Sequence, residues 1–157
     1  MRIIENRFIP FKGFLCLNIL GILFVRKGEG NMSSRMYCHE GIHTYQQYEI
    51  MTISAIVSLI LCNIFQSWWY MLGVVGMPFV LYVLGFILEM IVPPYHNVKK
   101  TMGLWKKLKK IWHDAYKDNC FEREAYQNEW TDNYLAIRPP FAWIKYIIPR
   151  NERRRKN

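Results

Sequence analysis

"RMYCHEGIHTYQQYEIMTI", residues 35–53, is the stretch whose reading decides how this chain folds. Gly41 is its one helix breaker, and Ser33 or Ser34 just before it can cap a helix by accepting from a free backbone N–H. A helix begun there runs on into an apolar tract. Its first half carries His39 and His43, four positions apart and so on one helical face, with Glu40 directly after the first. Two imidazoles at that spacing can point at one ion. A carboxylate one position on reaches the side where a water on that ion would sit. The plain alternative is two polar histidines at a helix end, and a third ligand decides between the two.

The tract that follows, residues 51–92, has no charged residue between Glu49 and Glu89. It is about twice the ~20 residues that cross a bilayer once. Gly73, Gly76 and Pro78 interrupt its middle, with Trp68, Trp69 and Tyr70 just before them, which predicts two membrane helices joined by a hairpin turn at the headgroup level. Two buried helices of a soluble core are the competing reading. Basic residues flank the tract on both sides: Arg2, Arg7, Lys12, Arg26 and Lys27 before it, Lys99, Lys100, Lys106, Lys107, Lys109, Lys110 and "RNERRRK" after it. An even number of crossings with basic flanks predicts both ends in the cytoplasm.

Composition agrees with a membrane protein. Of 157 residues, 52% are hydrophobic and 16% aromatic, at a net charge of +9, a mixture that suits apolar spans with cationic flanks better than a soluble domain. The charge sits in short clusters beside apolar segments instead of along one face, which argues against a nucleic-acid partner. The four cysteines (Cys16, Cys38, Cys62, Cys120) form no C-x-x-C pair and read as free thiols in a reducing compartment. No small-residue cleavage site follows residues 13–25, so no cleavable signal is expected.

Upstream, "FKGFLCLNI" and "GILFVRKG" are brief apolar runs split near Asn18 and Gly21, too short to span; two short strands packed on a helix explain them, with a further membrane segment as the alternative. Downstream, "GLWKKLKKIWHDAY" puts Leu104, Trp105, Leu108, Ile111 and Trp112 opposite its lysines, as an interfacial helix on anionic lipid would. "NCFEREAYQNEWTDNYLAI" reads as one helix stopped by Pro139 and Pro140, with "FAWIKYII" after it. The expected segments are 1–30 strand-like, 33–50 site helix, 51–92 hairpin, 101–117 amphipathic helix, 119–138 acidic helix and 139–157 basic tail, in a single domain.

The third ligand is open among His96, His113 and a carboxylate of the acidic helix: Glu122, Glu124 or Glu129, read as lying on different faces. Glu124 points about 160° from Glu122, so both cannot serve. Ala125, one turn past Glu122, lets two helices approach closely.

"HEGIH" with a later E-x-x-A helix resembles the gluzincin clan of zinc metallopeptidases. The strings "FKGFLCLNILGILFVRKG", "HEGIHTYQQYE" and "AYKDNCFEREAYQNE" resemble a family of small membrane metallopeptidases of Bacteroidetes over most of the chain, the hairpin being least alike. The resemblance implies an α+β, mostly helical chain with a minimal zincin-like core, carrying a two-helix transmembrane hairpin in a bacterial inner membrane. It implies Zn2+ as cofactor, a peptide or protein as substrate, His39, His43 and Glu122 as zinc ligands, and Glu40 as general base. Tyr126 stands where such enzymes often place an acidic group behind a ligand histidine, and Gln46 or Gln47 could supply that support instead, as hydrogen-bond donors. Tyr116 and Tyr126 are candidate donors to the oxyanion. Residues 20–25 would be the edge strand that takes the substrate backbone. A membrane-anchored interaction protein with a non-catalytic metal site is the competing function, and a purely structural hairpin a third.

Overall fold

A computed structural model describes residues 1–8, 16–28, 32–91 and 103–147; His96, Lys99, Lys100 and the basic tail from residue 148 on lie outside the described residues. The chain is mostly helical with one three-stranded sheet. Strands β1 (Arg2–Asn6), β2 (Cys16–Ile19) and β3 (Ile22–Arg26) are followed by α1 (Ser34–Phe65), a 3-10 turn (Trp68–Met71) and α2 (Leu72–Ile91). Then come α3 (Leu104–Asp118), α4 (Cys120–Asn128), α5 (Tyr134–Ile137) and a second 3-10 turn (Ala142–Tyr146).

The sheet order is β1-β3-β2, with β1 parallel and β2 antiparallel to β3. Residues 20–25, expected at the edge, therefore lie mostly in the central strand, and the edge strand beside α1 is β2. The β2–β3 connection is a two-residue hairpin, and both Leu20 (φ 51) and Gly21 (φ 80) take the left-handed backbone such turns need. Leucine does so unaided only at a cost, and here α1 holds it. The Leu20 N–H donates to Gln47 Oε1 at 2.6 Å, and Tyr48 Oη donates to the Leu20 carbonyl at 3.1 Å. A Cβ on Gly21 would stand 2.6 Å from that Tyr48 hydroxyl. Gln47 thus anchors the hairpin to the site helix.

Ser33 caps α1, accepting from Met36 N at 3.2 Å. From Ser34 the helix continues unbroken to Phe65, as its sequence predicts. Its buried side is Gln46, Ile50, Ser54 and Ser58, every fourth residue, while Ile53, Ile56, Val57, Leu59, Ile60 and Ile64 face outward. Small and polar residues inside with branched apolar ones outside invert the pattern of a water-soluble helix, and match helices that pack in lipid through small residues. Ser58 meets α2 at Gly73, where an added Cβ would lie 3.3 Å from Ser58 Oγ. Both long helices are long and apolar enough to cross a membrane, and only 17% and 6% of their most apolar stretches are buried. Buried core helices of a soluble protein would show the reverse.

The hairpin turn does not fall at the Gly/Pro group. It falls at Gln66 (φ 50) and Ser67, and Gly73, Gly76 and Pro78 lie inside α2. The acidic helix also differs from expectation, breaking after Asn128, with Asn133 (φ 55) starting the short α5. Ile42, Ala125 and Tyr134 form the small core between α1, α4 and α5, with Cys38 and Leu135 packed against it. Ala125 is the close-approach residue its position suggests.

Candidate metal centre

Three elements converge. α1 presents His39 and His43, α4 presents Glu122, and β2 lies along the side of α1 that carries Glu40. His39 Nε2 and His43 Nε2 stand 3.2 Å apart. One or other oxygen of Glu122 lies 3.4 Å from each of them. Taken one atom per residue, the possible ligand atoms lie within 4.8 Å of one another, and the 3.2 Å between the two imidazole nitrogens matches the roughly 3.3 Å that separates ligands about 2.0–2.1 Å from a tetrahedral zinc ion.

The hydrogen bonds behind the imidazoles fix which nitrogens are free. His39 Nδ1 is 2.9 Å from Glu129 Oε2, an acceptor, so Nδ1 carries the proton. His43 Nδ1 is 2.8 Å from Gln46 Oε1. The Gln46 amide nitrogen donates to the Phe121 carbonyl at 3.1 Å and to Glu124 Oε2 at 2.9 Å, which leaves its oxygen for His43. Both Nε2 atoms therefore face each other and a carboxylate. Glu122 is 2% exposed, and its Oε2 is buried without a hydrogen-bond partner. Two imidazole nitrogens and a buried carboxylate gathered around one point suit a cation that would displace their protons, and the donor set fits a divalent metal that accepts nitrogen and oxygen. These three residues form a group able to hold a metal ion.

Burial opposes the charge on Glu122, but His43 and hydrogen bonds from His39, His43 and Tyr82 outweigh it, holding the carboxyl well below the usual carboxylate range. Tyr82 Oη donates to Glu122 Oε1 at 2.7 Å. Asn119 sets the angle of α4: it accepts from Phe121 N at 3.1 Å as N-cap and donates to the Tyr82 carbonyl at 3.1 Å, tying α4 to α2.

Glu40 faces β2. Cys16 Sγ donates to its Oε1 at 3.0 Å, and Asn18 Nδ2 donates to its backbone carbonyl at 2.6 Å and to Thr44 Oγ1 at 3.0 Å. Burial first, then the charge of Glu40, raises the Cys16 thiol far above its ordinary value, so it stays a protonated donor. A cavity of about 280 Å3 opens in front of these groups, and its lining includes Cys16, Asn18, Glu40, His43, Tyr116 and Glu122.

Of the residues expected here, the structure brings together His39, His43, Glu40, Glu122 and Tyr116. Burial and the Glu122 carboxylate push the Tyr116 phenol well above its ordinary value. Tyr126 is not part of the cavity lining; its ring packs edge-on against His39 with centroids 4.9 Å apart, and burial and Glu122 push its phenol up to about 12. The acidic support for His39 comes instead from Glu129. Glu122 and Glu129 do not lie on different faces: seven residues fall about 20° short of two full turns, so both face α1. Gln46 supports His43 as an acceptor through its Oε1, not as the donor expected of the glutamines, whereas Gln47 holds the hairpin. His113 is exposed on α3 and joins no metal-binding group among the described residues.

A second cluster escaped the sequence reading. Arg138, with its side chain 1% exposed, bridges Glu124 and Glu49: Nε donates to Glu124 Oε1 at 2.6 Å, Nη2 to Glu124 Oε2 at 3.1 Å and to Glu49 Oε2 at 3.2 Å, and Nη1 to Glu49 Oε1. Glu124 in turn holds Gln46, so the segment after α5 is wired to His43. Separations of 14 and 89 residues leave no periodicity from which to find it.

Compared with known proteins, the chain matches no family, no curated protein and no solved structure.

Proposed function

We propose that this chain is a membrane-embedded zinc metallopeptidase with a gluzincin-type site. The observation that carries the reading is the pair of imidazole Nε2 atoms facing the buried Glu122 carboxylate, one oxygen of which has no hydrogen-bond partner, with Glu40 on the same helix beside an open cavity. His39, His43 and Glu122 would hold zinc, which when bound would supply a Lewis acid for the scissile carbonyl and for water. Glu40 takes a proton from the attacking water at its carboxylate and delivers it to the departing amine, so that one water is added across the broken C–N bond. The Cys16 thiol and Asn18 hold that carboxylate and its backbone in place. Tyr116, kept protonated, donates to the oxygen on which charge develops.

The inverted pattern of α1 and the exposed apolar surface of α2 support a hairpin inserted in a bacterial inner membrane, with basic segments and both ends in the cytoplasm. Zinc content of the detergent-purified protein tests the reading directly. Wild type carries zinc, while His39→Ala and Glu122→Gln lose it. Glu40→Gln keeps zinc and loses peptide cleavage. Retention of metal in both ligand variants overturns the site, and cleavage by Glu40→Gln overturns the mechanism. If zinc binds stoichiometrically but nothing is cleaved, the chain is a metal-binding membrane protein of another kind.

A further inference from the structure

The cavity wall is shared between the site and the apolar hairpin. Ile50 of α1, Pro78 and Phe79 of α2 and Leu17 of β2 all line it. Phe79 and Leu17 are also 39% exposed, so lining residues of both α2 and β2 reach the surface. The surface running outward from Phe79 is apolar: Val80, Val83, Leu84, Ile87 and Leu88 are all exposed. The first charged residue of α2 is Glu89. It lies seven positions past Tyr82, about 10 Å along the axis. Because Tyr82 donates to Glu122, the metal centre sits short of the level at which α2 first carries charge. Beyond the site, Ile137, Ile144 and Ile147 present further exposed apolar side chains. On its α2 side the cavity therefore opens onto surface that suits lipid.

Resting on the peptidase reading, we propose that the substrate enters this cavity sideways from the bilayer, between Phe79 and Leu17, and is an unwound apolar stretch of a membrane-inserted polypeptide. A peptide bond inside a helix is shielded by its own hydrogen bonds, so cleavage needs unwinding. The N–H and C=O groups so freed find no partners in lipid. The site supplies some of them: among the described residues β2 is an edge strand paired with β3, Gln47 takes its Asn18 carbonyl, and its residues form part of the cavity wall. Side chains of an apolar stretch meet Ile50, Pro78, Phe79 and Phe121 there.

The test uses the full chain, zinc-loaded, in vesicles of phosphatidylethanolamine and phosphatidylglycerol. One arm co-reconstitutes membrane proteins extracted from host cells. The other adds a soluble peptide digest of cytosolic proteins. New amino termini are read by mass spectrometry for wild type and Glu40→Gln. The expected result is Glu40-dependent termini within or just beside apolar membrane segments, with soluble peptides cut at least about tenfold more slowly. Soluble peptides cut as fast as membrane segments overturn lateral entry and leave the peptidase reading standing. No Glu40-dependent terminus in either arm overturns the peptidase reading itself. Leu17→Trp and Phe79→Asp, which obstruct or charge the exposed lining, are expected to keep wild-type zinc content and to lower membrane-segment cleavage about tenfold. Unchanged cleavage in both variants overturns the route.

Discussion

Glu129 offers a test of how the centre is tuned, because it reaches the metal position only through His39. Its Oε2 accepts from His39 Nδ1 at 2.9 Å, and its other oxygen pairs with Arg35, whose guanidinium also lies over the Trp130 ring at 4.6 Å. The carboxylate thus fixes the His39 tautomer and aims the ring. Glu129→Gln can keep an acceptor facing Nδ1 but loses the charge. A charge-assisted hydrogen bond exceeds a neutral one by about 1 kcal/mol, which corresponds to roughly fivefold weaker zinc binding. Glu129→Ala removes the acceptor, frees the ring to turn, and is expected to cost about 10- to 100-fold in affinity. Competition against a zinc-chelating dye in detergent reads both values, and thermal unfolding of the metal-free proteins separates tuning from loss of fold. The sequence wild type, Gln, Ala should appear in zinc affinity while His39 remains. If both variants bind zinc within twofold of wild type and fold normally, Glu129 does not orient His39 and the tautomer assignment behind the centre is wrong.

Other expectations follow from neighbouring contacts. Arg138→Met leaves Glu49 and Glu124 buried without their cation and should lower stability by about 3–5 kcal/mol, read as reduced unfolding temperature and denaturant midpoint in micelles; a near-neutral effect would mean the network is solvated. Asn119→Ala removes the α4 cap and its tie to Tyr82, with an expected loss of about 1–2 kcal/mol and weaker zinc binding through a displaced Glu122. Wild-type unfolding and zinc affinity would remove Asn119 from that role. Val57→Lys tests the membrane reading: on a water-facing surface it changes stability by about 0.5 kcal/mol or less, whereas in lipid it costs about 3 kcal/mol of insertion. The carbonate-resistant membrane fraction distinguishes the two, and undiminished insertion counts against a lipid-facing α1.

The parts of this molecule legible in its sequence are those set by helical periodicity and by length. His39 and His43 share a face because they are four apart. The angle between Glu122 and Glu124 showed that both could not serve, though not which one does, and α1 runs into the apolar tract because nothing in "HTYQQYEIMTI" stops it. The same rule, applied to the seven-residue interval, places Glu129 beside Glu122, so that residue was legible too. The hairpin turn was not. Gly73, Gly76 and Pro78 act as breakers where water competes for backbone hydrogen bonds; in a helix long and apolar enough to cross a membrane that competition would be absent, and α2 runs through all three. Gly73 instead provides room for Ser58. Tyr82 lacked a motif, yet a phenol among "FVLYVLGF" had a physical signal, since a polar tip within an apolar span needs a partner. Its partner is the Glu122 carboxylate.

That pairing bears on why the site and hairpin belong to one unit. A soluble zinc helix could end after its second ligand and let loops close the cavity. Here α1 continues from His43 through Ile50 to Phe65, and α2 returns to put Pro78, Phe79 and Tyr82 against the same cavity. The hairpin therefore forms one wall of the centre and supplies a hydrogen bond to its glutamate. Replacing it with a soluble linker would remove the Tyr82 donor from Glu122 and the Tyr82 carbonyl from Asn119 together. Such a variant should lose zinc affinity even in detergent, where no bilayer is present. A detached hairpin that left zinc affinity intact would show that membrane anchoring and metal binding are separate functions of the chain.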